Sequence, residues 1–321
     1  MSFLFDVSII ILTYNSEYSK LLSSVKSALQ QTSVSFEIII SDDGSEIDNL
    51  SEIEKFFIDN DFYNFNLIKN QKNIGIVKNA YNAVLKSSGR FVFLNSPGDY
   101  IFDNKTMSDF VNFATSMNAE ICFGDYISYY LDKDGNVCFN TNNDLPNNVE
   151  LFGKKIKKYK NDFLVGRGLG ILGASYFRSR DFTLNSLKFI ERYSKYTEDT
   201  TSTAYALLEN IPVYYYNRKI VWYEQGCGIS TNGNKKWLSI INQDILRTYK
   251  GLLIKYPYCR ALKAGIYYYE NENCPHFLLK LLLKFPIIST KKLYHRKSIK
   301  RKVIISADDV DRLNKLCNQK R

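Results

Sequence analysis

The first hundred residues alternate two kinds of apolar pattern, and this alternation restricts the fold more than any other feature of the chain. Val7 to Leu12 is an unbroken run rich in β-branched residues, residues 18–31 carry helical apolar spacing (Leu21, Leu22, Val25, Ala28, Leu29), and Phe36 to Ile40 reads as a strand again. A polar helical stretch over 48–60, a short strand over 65–68, a helix over 76–87 and a buried strand from Phe91 to Leu94 repeat the cycle. Short apolar strands separated by helices of about 10 to 15 residues imply βαβ units. They predict an α/β fold with a mostly parallel central sheet flanked by helices.

In such sheets ligands bind beyond the carboxyl ends of the strands. The segments there are Thr13-Tyr14-Asn15, Ser41-Asp42-Asp43-Gly44-Ser45 and Asn95 to Asp99; all are polar and two carry carboxylates. The loop after the first strand, TYNSEYSK, has no glycine. That excludes both the GxGxxG dinucleotide fingerprint and a GxxxxGK[ST] phosphate loop at this point.

A chain of 321 residues suits one large domain with an appendage or two modest domains. It has no run of 18 apolar residues, so it reads as soluble and globular. The start, MSFLFDVSIIILTYN, lacks a basic n-region and a small-residue cleavage site, which predicts a protein that stays in the cytoplasm. Six cysteines (122, 138, 227, 259, 274, 317) show no short metal spacing and there are only two histidines, so reduced thiols are expected and a zinc centre is not. The net charge of +10 is concentrated: residues 276–303 hold nine Lys or Arg and no acid.

The stretches VSIIILTYNSEYSKLLSSVKSALQQTSVSFEIIISDDGSEID and NIGIVKNAYNAVLKSSGRFVFLNSPGDYI together resemble the nucleotide-binding half of family 2 glycosyltransferases, which have the GT-A fold. The resemblance spans about residues 5 to 105 and, more loosely, 165 to 230. It implies a GT-A domain over 1–234, with a nucleotide-binding half (1–105) and an acceptor-side half (106–234); from about Lys235 the βα rhythm stops and helical patterns predict a helical basic region over 235–321.

The resemblance also implies roles. The Tyr14 ring would pack on a base or ribose, Thr13 would line the same pocket, and Asp42 or Asp43 would accept hydrogen bonds from the nucleoside, with Asp43 the nearer match. Asp, Gly and Ser are also ordinary turn residues, and a plain turn is the other reading of 42–45. Lys78 falls where the family has a cation facing the diphosphate, though a solvated helix position explains it equally well. The family's acidic turn usually holds two carboxylates for Mg²⁺ or Mn²⁺, whereas Asn95-Ser96-Pro97-Gly98-Asp99 leaves Asp99 as metal contact and Asn95 as a neutral amide oxygen.

Further on, KYTEDTTSTAYALLENIP has Thr197 as helix N-cap and acids in the first turn, where a helix dipole favours them. The resemblance gives Asp199 a second role as the base that takes the acceptor hydroxyl's proton, with Glu198 as the alternative. The glycine-rich segment 165–182, including Arg167, would line the acceptor side or simply pack as a loop. Residues 222–234 would form a closing segment hinged at Gly226, Gly228 and Gly233, with Ser230 as a diphosphate contact.

In the basic region, Leu278, Leu279, Leu281, Leu282 and Leu283 with Lys280 and Lys284 make a short apolar helix with a basic edge. A membrane-surface anchor over 276–303, on an anionic leaflet, is one reading. A solvated helix packed on the domain is another, and a nucleic-acid contact is disfavoured because no nucleic-acid module accompanies the cations.

The expected function is inverting transfer of a sugar from a nucleotide diphosphate sugar, UDP-linked, to a hydroxyl of a glycan or lipid-linked glycan. The setting implied is bacterial surface polysaccharide synthesis at the inner face of the cell membrane. Two alternatives stand beside it. One is a catalytically weak or inactive homologue that binds sugar nucleotide or a partner transferase; the other is a basic-tailed binding protein with the α/β domain as scaffold.

Overall fold

The computed structural model describes residues 3–139, 149, 152–153, 156–165, 171, 173–226, 235–286 and 304–318. Its first half follows the apolar alternation. The elements are β1 (Phe5–Thr13), α1 (Tyr18–Leu29), β2 (Phe36–Asp42), α2 (Leu50–Asp59), β3 (Phe65–Lys69), α3 (Ile76–Leu85) and β4 (Gly89–Asn95). Strands β3, β2, β1 and β4 lie side by side and parallel, with Ile9 level with Ile38 on one side and Phe93 on the other.

Successive side chains on a strand point to opposite faces. Val7, Ile9 and Ile11 therefore pack with Leu21 and Val25 of α1 on one face, while Ile10, Ile39 and Val92 pack with Val77, Ala80 and Val84 of α3 on the other. Burial on both faces is why these strands read as unbroken apolar runs.

After β4 come β5 (Tyr100–Ile101), α4 (Thr106–Ser116), β6 (Ile121–Leu131), β7 (Val137–Phe139), α5 (Ile156–Leu164), β8 (Tyr176–Ser179), α6 (Arg180–Ile190), α7 (Glu198–Leu208) and β9 (Val213–Glu224). They extend the same sheet in the order β4-β8-β6-β9-β5, with β8 antiparallel to both its neighbours, β6 parallel to β9, and β5 antiparallel to β9. Thr197 stands at the N-cap position of α7 but makes no capping bond, because its hydroxyl pairs with Ser194 Oγ at 2.9 Å.

The region after residue 235 is helical: α8 (Lys235–Lys255), α9 (Arg260–Asn271), α10 (Phe277–Lys284) and α11 (Ala307–Asn318). Tyr249, Leu252 and Leu262 share one apolar cluster with Phe123, Tyr159 and Ala204, so α8 and α9 are packed on the sheet-bearing part through a common core. Helix α11 returns to the far end of the sheet, where Leu313 and Leu316 pack with Tyr100, Tyr129 and Trp222. Lys219 pairs with Asp309 there at 2.5 Å. Among the described residues no helix is long and apolar enough to cross a membrane, and the described cysteines are free thiols.

Candidate active site

The ends of β1, β2, β4 and β9 meet the 3₁₀ turn Gly173–Ser175 and the start of α7 around an open cleft of about 440 Å³. Thr13, Tyr14, Asp43, Asn95, Asp99, Glu198 and Asp199 all line it. Residues separated by nearly two hundred positions are thus brought together. Asp42 and Lys78 are absent from the lining, and Ser230, Arg167, Gly228, Gly233 and segment 287–303 lie outside the described residues.

On the β1–β2 side, Tyr14 is 49% exposed, which leaves its ring free to receive a flat ligand. The two acids of the following loop have separate tasks. The Asp42 carboxylate accepts from Ser45 N at 3.2 Å and from the Ser45 hydroxyl, closing its own turn. The Asp43 carboxylate accepts from Asn70 Nδ2 at 3.1 Å and from the amides of Ile74 and Gly75, each at 2.9 Å. Asp43 therefore ties the loop before α3 to the strand end. Gly44 is obligatory in that turn, with φ +80° and a Cβ position only 2.6 Å from the Lys72 carbonyl carbon. Lys78 is exposed because Val77 and Ala80 take the buried face of α3, and residue 78 points about 100° away from 77.

The acidic turn is more elaborate than its sequence. Asn95 donates its side-chain amide to Asp99 O at 3.1 Å and accepts from Ser96 N at 2.9 Å, so its oxygen is already engaged inside the turn. Asp99 is buried, and its Oδ1 accepts from the Glu224 amide at 3.1 Å. Burial pushes the Asp99 carboxyl well above the usual carboxylate range; the nearby Glu224 charge adds to this, while the Glu224 amide and Lys20 oppose it.

Glu224, the last residue of β9, also lines the cleft, and both its oxygens meet Lys20 Nζ, at 2.7 and 2.9 Å. Sequence reasoning missed Glu224 and Lys20. The available signal was the rule already applied to β1, β2 and β4, since Glu224 ends the apolar run Ile220-Val221-Trp222-Tyr223. From below, Tyr129 donates its hydroxyl to Gly98 O at 2.6 Å.

At α7 the two acids part company. Glu198 Oε2 accepts from Arg178 Nη1 at 2.6 Å, both side chains being buried, and Arg178 also lies over the Tyr176 ring, 4.5 Å from its centroid. Burial raises the Glu198 carboxyl above its ordinary value even though Arg178 works against the shift. Asp199 accepts from Thr200 N at 2.6 Å through Oδ1, and its Oδ2 faces Gly173, where a Cβ would stand 3.0 Å away. The segment leading into α7 is held by Asp244 of α8, whose Oδ2 accepts from the amides of Lys195 and Tyr196 at 2.8 and 2.7 Å. Neither Arg178 nor Asp244 carries a local sequence signal.

Among the described residues the cleft wall holds the carboxyl groups of Asp43, Asp99, Glu198, Asp199 and Glu224 and no Lys, Arg or His. Where these groups are ionised, such a wall repels a diphosphate unless a cation accompanies it. Asp99 and Glu224 are hard oxygen donors of the kind Mg²⁺ and Mn²⁺ take, so the residues fit a divalent cation. Among the described residues no group of three ligating side chains converges, which leaves phosphate oxygens and water to complete any shell.

The fold recurs in solved structures. S. aureus TarS 1–349 in complex with UDP-GlcNAc is similar over 90% of this chain and 79% of its own, with 17% identity and a TM-score of 0.57. The same protein in complex with UDP is similar over 98% and 90%, with 16% identity and a TM-score of 0.55. A mannosyltransferase from Pyrobaculum calidifontis, PcManGT, in complex with GDP-Man and Mn²⁺, is similar over 97% and 79%, with 11% identity and a TM-score of 0.56. At these identities the likeness is one of fold. No curated protein matches the chain. Residues 8–198, more than half of the 321, match the family described as Glycosyl transferase family 2, and the protein belongs to that family of GT-A glycosyltransferases.

Proposed function

We propose that the cleft binds a UDP-linked sugar and transfers it, with inversion, to a hydroxyl of a glycan or lipid-linked glycan in bacterial surface polysaccharide synthesis. One observation carries this reading. Asp199 presents an oxygen without a donor among the described residues to the same cleft that Tyr14, Asp43 and Asp99 line. The TarS complexes with UDP and UDP-GlcNAc support the choice of donor.

In this reading the Tyr14 ring and Thr13 receive the nucleoside, and Asp43 offers the acceptor capacity left on its carboxylate. Asp199 takes the proton from the acceptor hydroxyl as that oxygen attacks the anomeric carbon and the bond to the diphosphate breaks. Glu198, committed to Arg178, keeps the start of α7 in place. A divalent cation held at Asp99 would offset charge on the departing diphosphate. The PcManGT complex with Mn²⁺ supports that assignment.

The acceptor is read as membrane-held because of α10. Leu281 is buried and fixes the helix to the core, while Leu278, Leu279 and Leu283 are exposed, at 44, 57 and 73%. At about 100° per residue Leu279 and Leu283 lie on the side away from Leu281. An outward apolar face followed by a cation-rich segment suits an anionic membrane surface and supports a peripheral position at its cytoplasmic side.

The test is thermal stabilisation by UDP, GDP and their sugar derivatives with and without Mn²⁺, followed by turnover of the stabilising donor. UDP-linked donors are expected to stabilise most. The reading fails if no nucleotide stabilises the protein, or if Asp199→Asn transfers as fast as the parent.

A further inference from the structure

We propose that Glu224 is the second carboxylate of the cation site at Asp99, and that Lys20 holds its place until a divalent cation arrives with the donor. This rests on the reading of the cleft as a nucleotide-sugar site and adds a ligand that the turn 95–99 does not contain.

The chain brings Glu224 to the turn by strand pairing. Tyr100 is level with Trp222 and Ile101 with Val221 in the antiparallel β5–β9 ladder, and continuing that register sets Gly98 opposite Glu224. The turn is shaped for the arrival. Gly98 has φ +96°, and a Cβ on it would stand 2.2 Å from Glu224 Oε2, so a side chain at 98 would occupy the space of the incoming carboxylate. The Glu224 amide meanwhile binds Asp99 Oδ1, and the other Asp99 oxygen has no donor among the described residues. One carboxyl group is thereby oriented by the residue that supplies the second.

Lys20, on the first turn of α1, reaches both Glu224 oxygens with its ammonium. A point cation bound to both oxygens of a carboxylate occupies the position a metal ion would take. Its charge also offsets that of Glu224 beside the Asp99 carboxyl. Lys20 does not line the cleft, whose wall holds five carboxyl groups and, among the described residues, no Lys, Arg or His. An incoming diphosphate therefore needs positive charge beyond Lys20. A divalent cation shared by Asp99, Glu224 and phosphate oxygens supplies it, and the Lys20 ammonium then moves off Glu224 toward solvent.

The experiment is Mn²⁺ titration of the full chain in saturating UDP, read by the loss of the free Mn²⁺ electron paramagnetic resonance signal, beside UDP titration by calorimetry. For Glu224→Gln the expected result is at least about tenfold weaker Mn²⁺ binding. Glu224→Asp, which keeps the charge and shortens the reach, is expected to fall between that variant and the parent. Lys20→Met is expected to bind Mn²⁺ at least as tightly as the parent, because the competing ammonium is gone.

Parent-like Mn²⁺ binding in Glu224→Gln overturns the proposal. So does a parent that binds UDP equally well without Mn²⁺ together with a Lys20→Met variant that has lost UDP, since Lys20 would then be the donor's own counter-charge. Should Glu224→Gln unfold, the Glu224→Asp and Lys20→Met titrations decide by the same criteria. If the parent binds no UDP under any condition, the failure belongs to the reading of the cleft and is distinct from these outcomes.

Discussion

The Arg178 guanidinium donates to Glu198 Oε2 at 2.6 Å beneath the first turn of α7, and this one contact separates the surroundings of two adjacent acids. Glu198 is buried against its cation, while Asp199 turns toward the glycine at 173 and the open cleft. Among the described residues Arg178 Nε and Nη2 make no hydrogen bond, so the bond to Glu198 is the one described for this buried charge, beside its contact with the Tyr176 ring.

The two acids should therefore fail in different ways. Asp199→Asn is expected to lower kcat by about 10² to 10⁴ with donor binding and melting temperature close to the parent's, as loss of a general base does. Glu198→Gln strands the Arg178 charge and is expected to cost about 3 to 5 kcal/mol of stability, since an unpaired buried ion is left behind. Steady-state kinetics and denaturant melts on both variants make the comparison. A fully stable Glu198→Gln with collapsed kcat would reverse the assignment.

Asp99 gives a prediction in pH. Its carboxyl is held well above the usual range by burial, against about 3.9 in an unfolded chain. The folded state therefore keeps a proton that the unfolded state releases. The stability this contributes is complete below the unfolded value and is lost as pH rises through the folded one. Asp99→Asn cannot ionise and escapes that loss. Without metal or nucleotide, its melting temperature relative to the parent should climb as pH rises above the unfolded value; a flat difference would contradict the direction of the shift.

The parallel half of the fold was legible because its signal is local. Strands buried on both faces must be continuously apolar, and the helices between them must carry apolar residues at helical spacing, as β1, α1, β2 and α3 do. The strand-end rule then pointed to Tyr14, Asp43 and Asp99, which line the cleft. Glu224, Lys20 and Arg178 escaped it because each acts through a partner far along the chain; Lys20 and Glu224 are 204 residues apart. Asp42 and Asp43 look equivalent as letters and part only when the chain bends, one carboxylate turning into its own loop and the other bridging to residues 70–75. Where the last helix, α11, docks was hidden for a related reason. A short amphipathic segment after a basic stretch does not reveal that its apolar face lands on Trp222 and Tyr129.

That landing makes α11 part of the acidic corner's support. Leu313 is fully buried against the layer that includes Tyr100 and Tyr129, and Tyr129 in turn holds the Gly98 carbonyl. Leu313→Ala is expected to cost about 2 to 5 kcal/mol. Tyr129→Phe leaves a buried carbonyl unpaired and is expected to cost about 1 to 3 kcal/mol. Both should also weaken UDP binding in Mn²⁺, measured by calorimetry at a temperature where the variants are folded. Unchanged nucleotide affinity in Tyr129→Phe would mean that the corner keeps its shape without this hydrogen bond.

The outward face of α10 makes the membrane reading testable without any substrate. Leu281 is buried and anchors the helix, so Leu279 and Leu283 can be changed with little effect on the core. Each Lys or Arg near an anionic leaflet contributes about 1 kcal/mol, and the sequence of 276–303 holds nine of them and no acid. The parent should therefore float with phosphatidylglycerol vesicles and stay behind with phosphatidylcholine ones, and salt should release it, because surface attraction is screened over about 10 Å at 0.1 M. Leu279→Asp with Leu283→Asp should abolish flotation while leaving the melting temperature and UDP binding unchanged. Binding that survives the double substitution but disappears in salt would assign the membrane contact to the cations alone and leave α10's apolar face without a lipid partner.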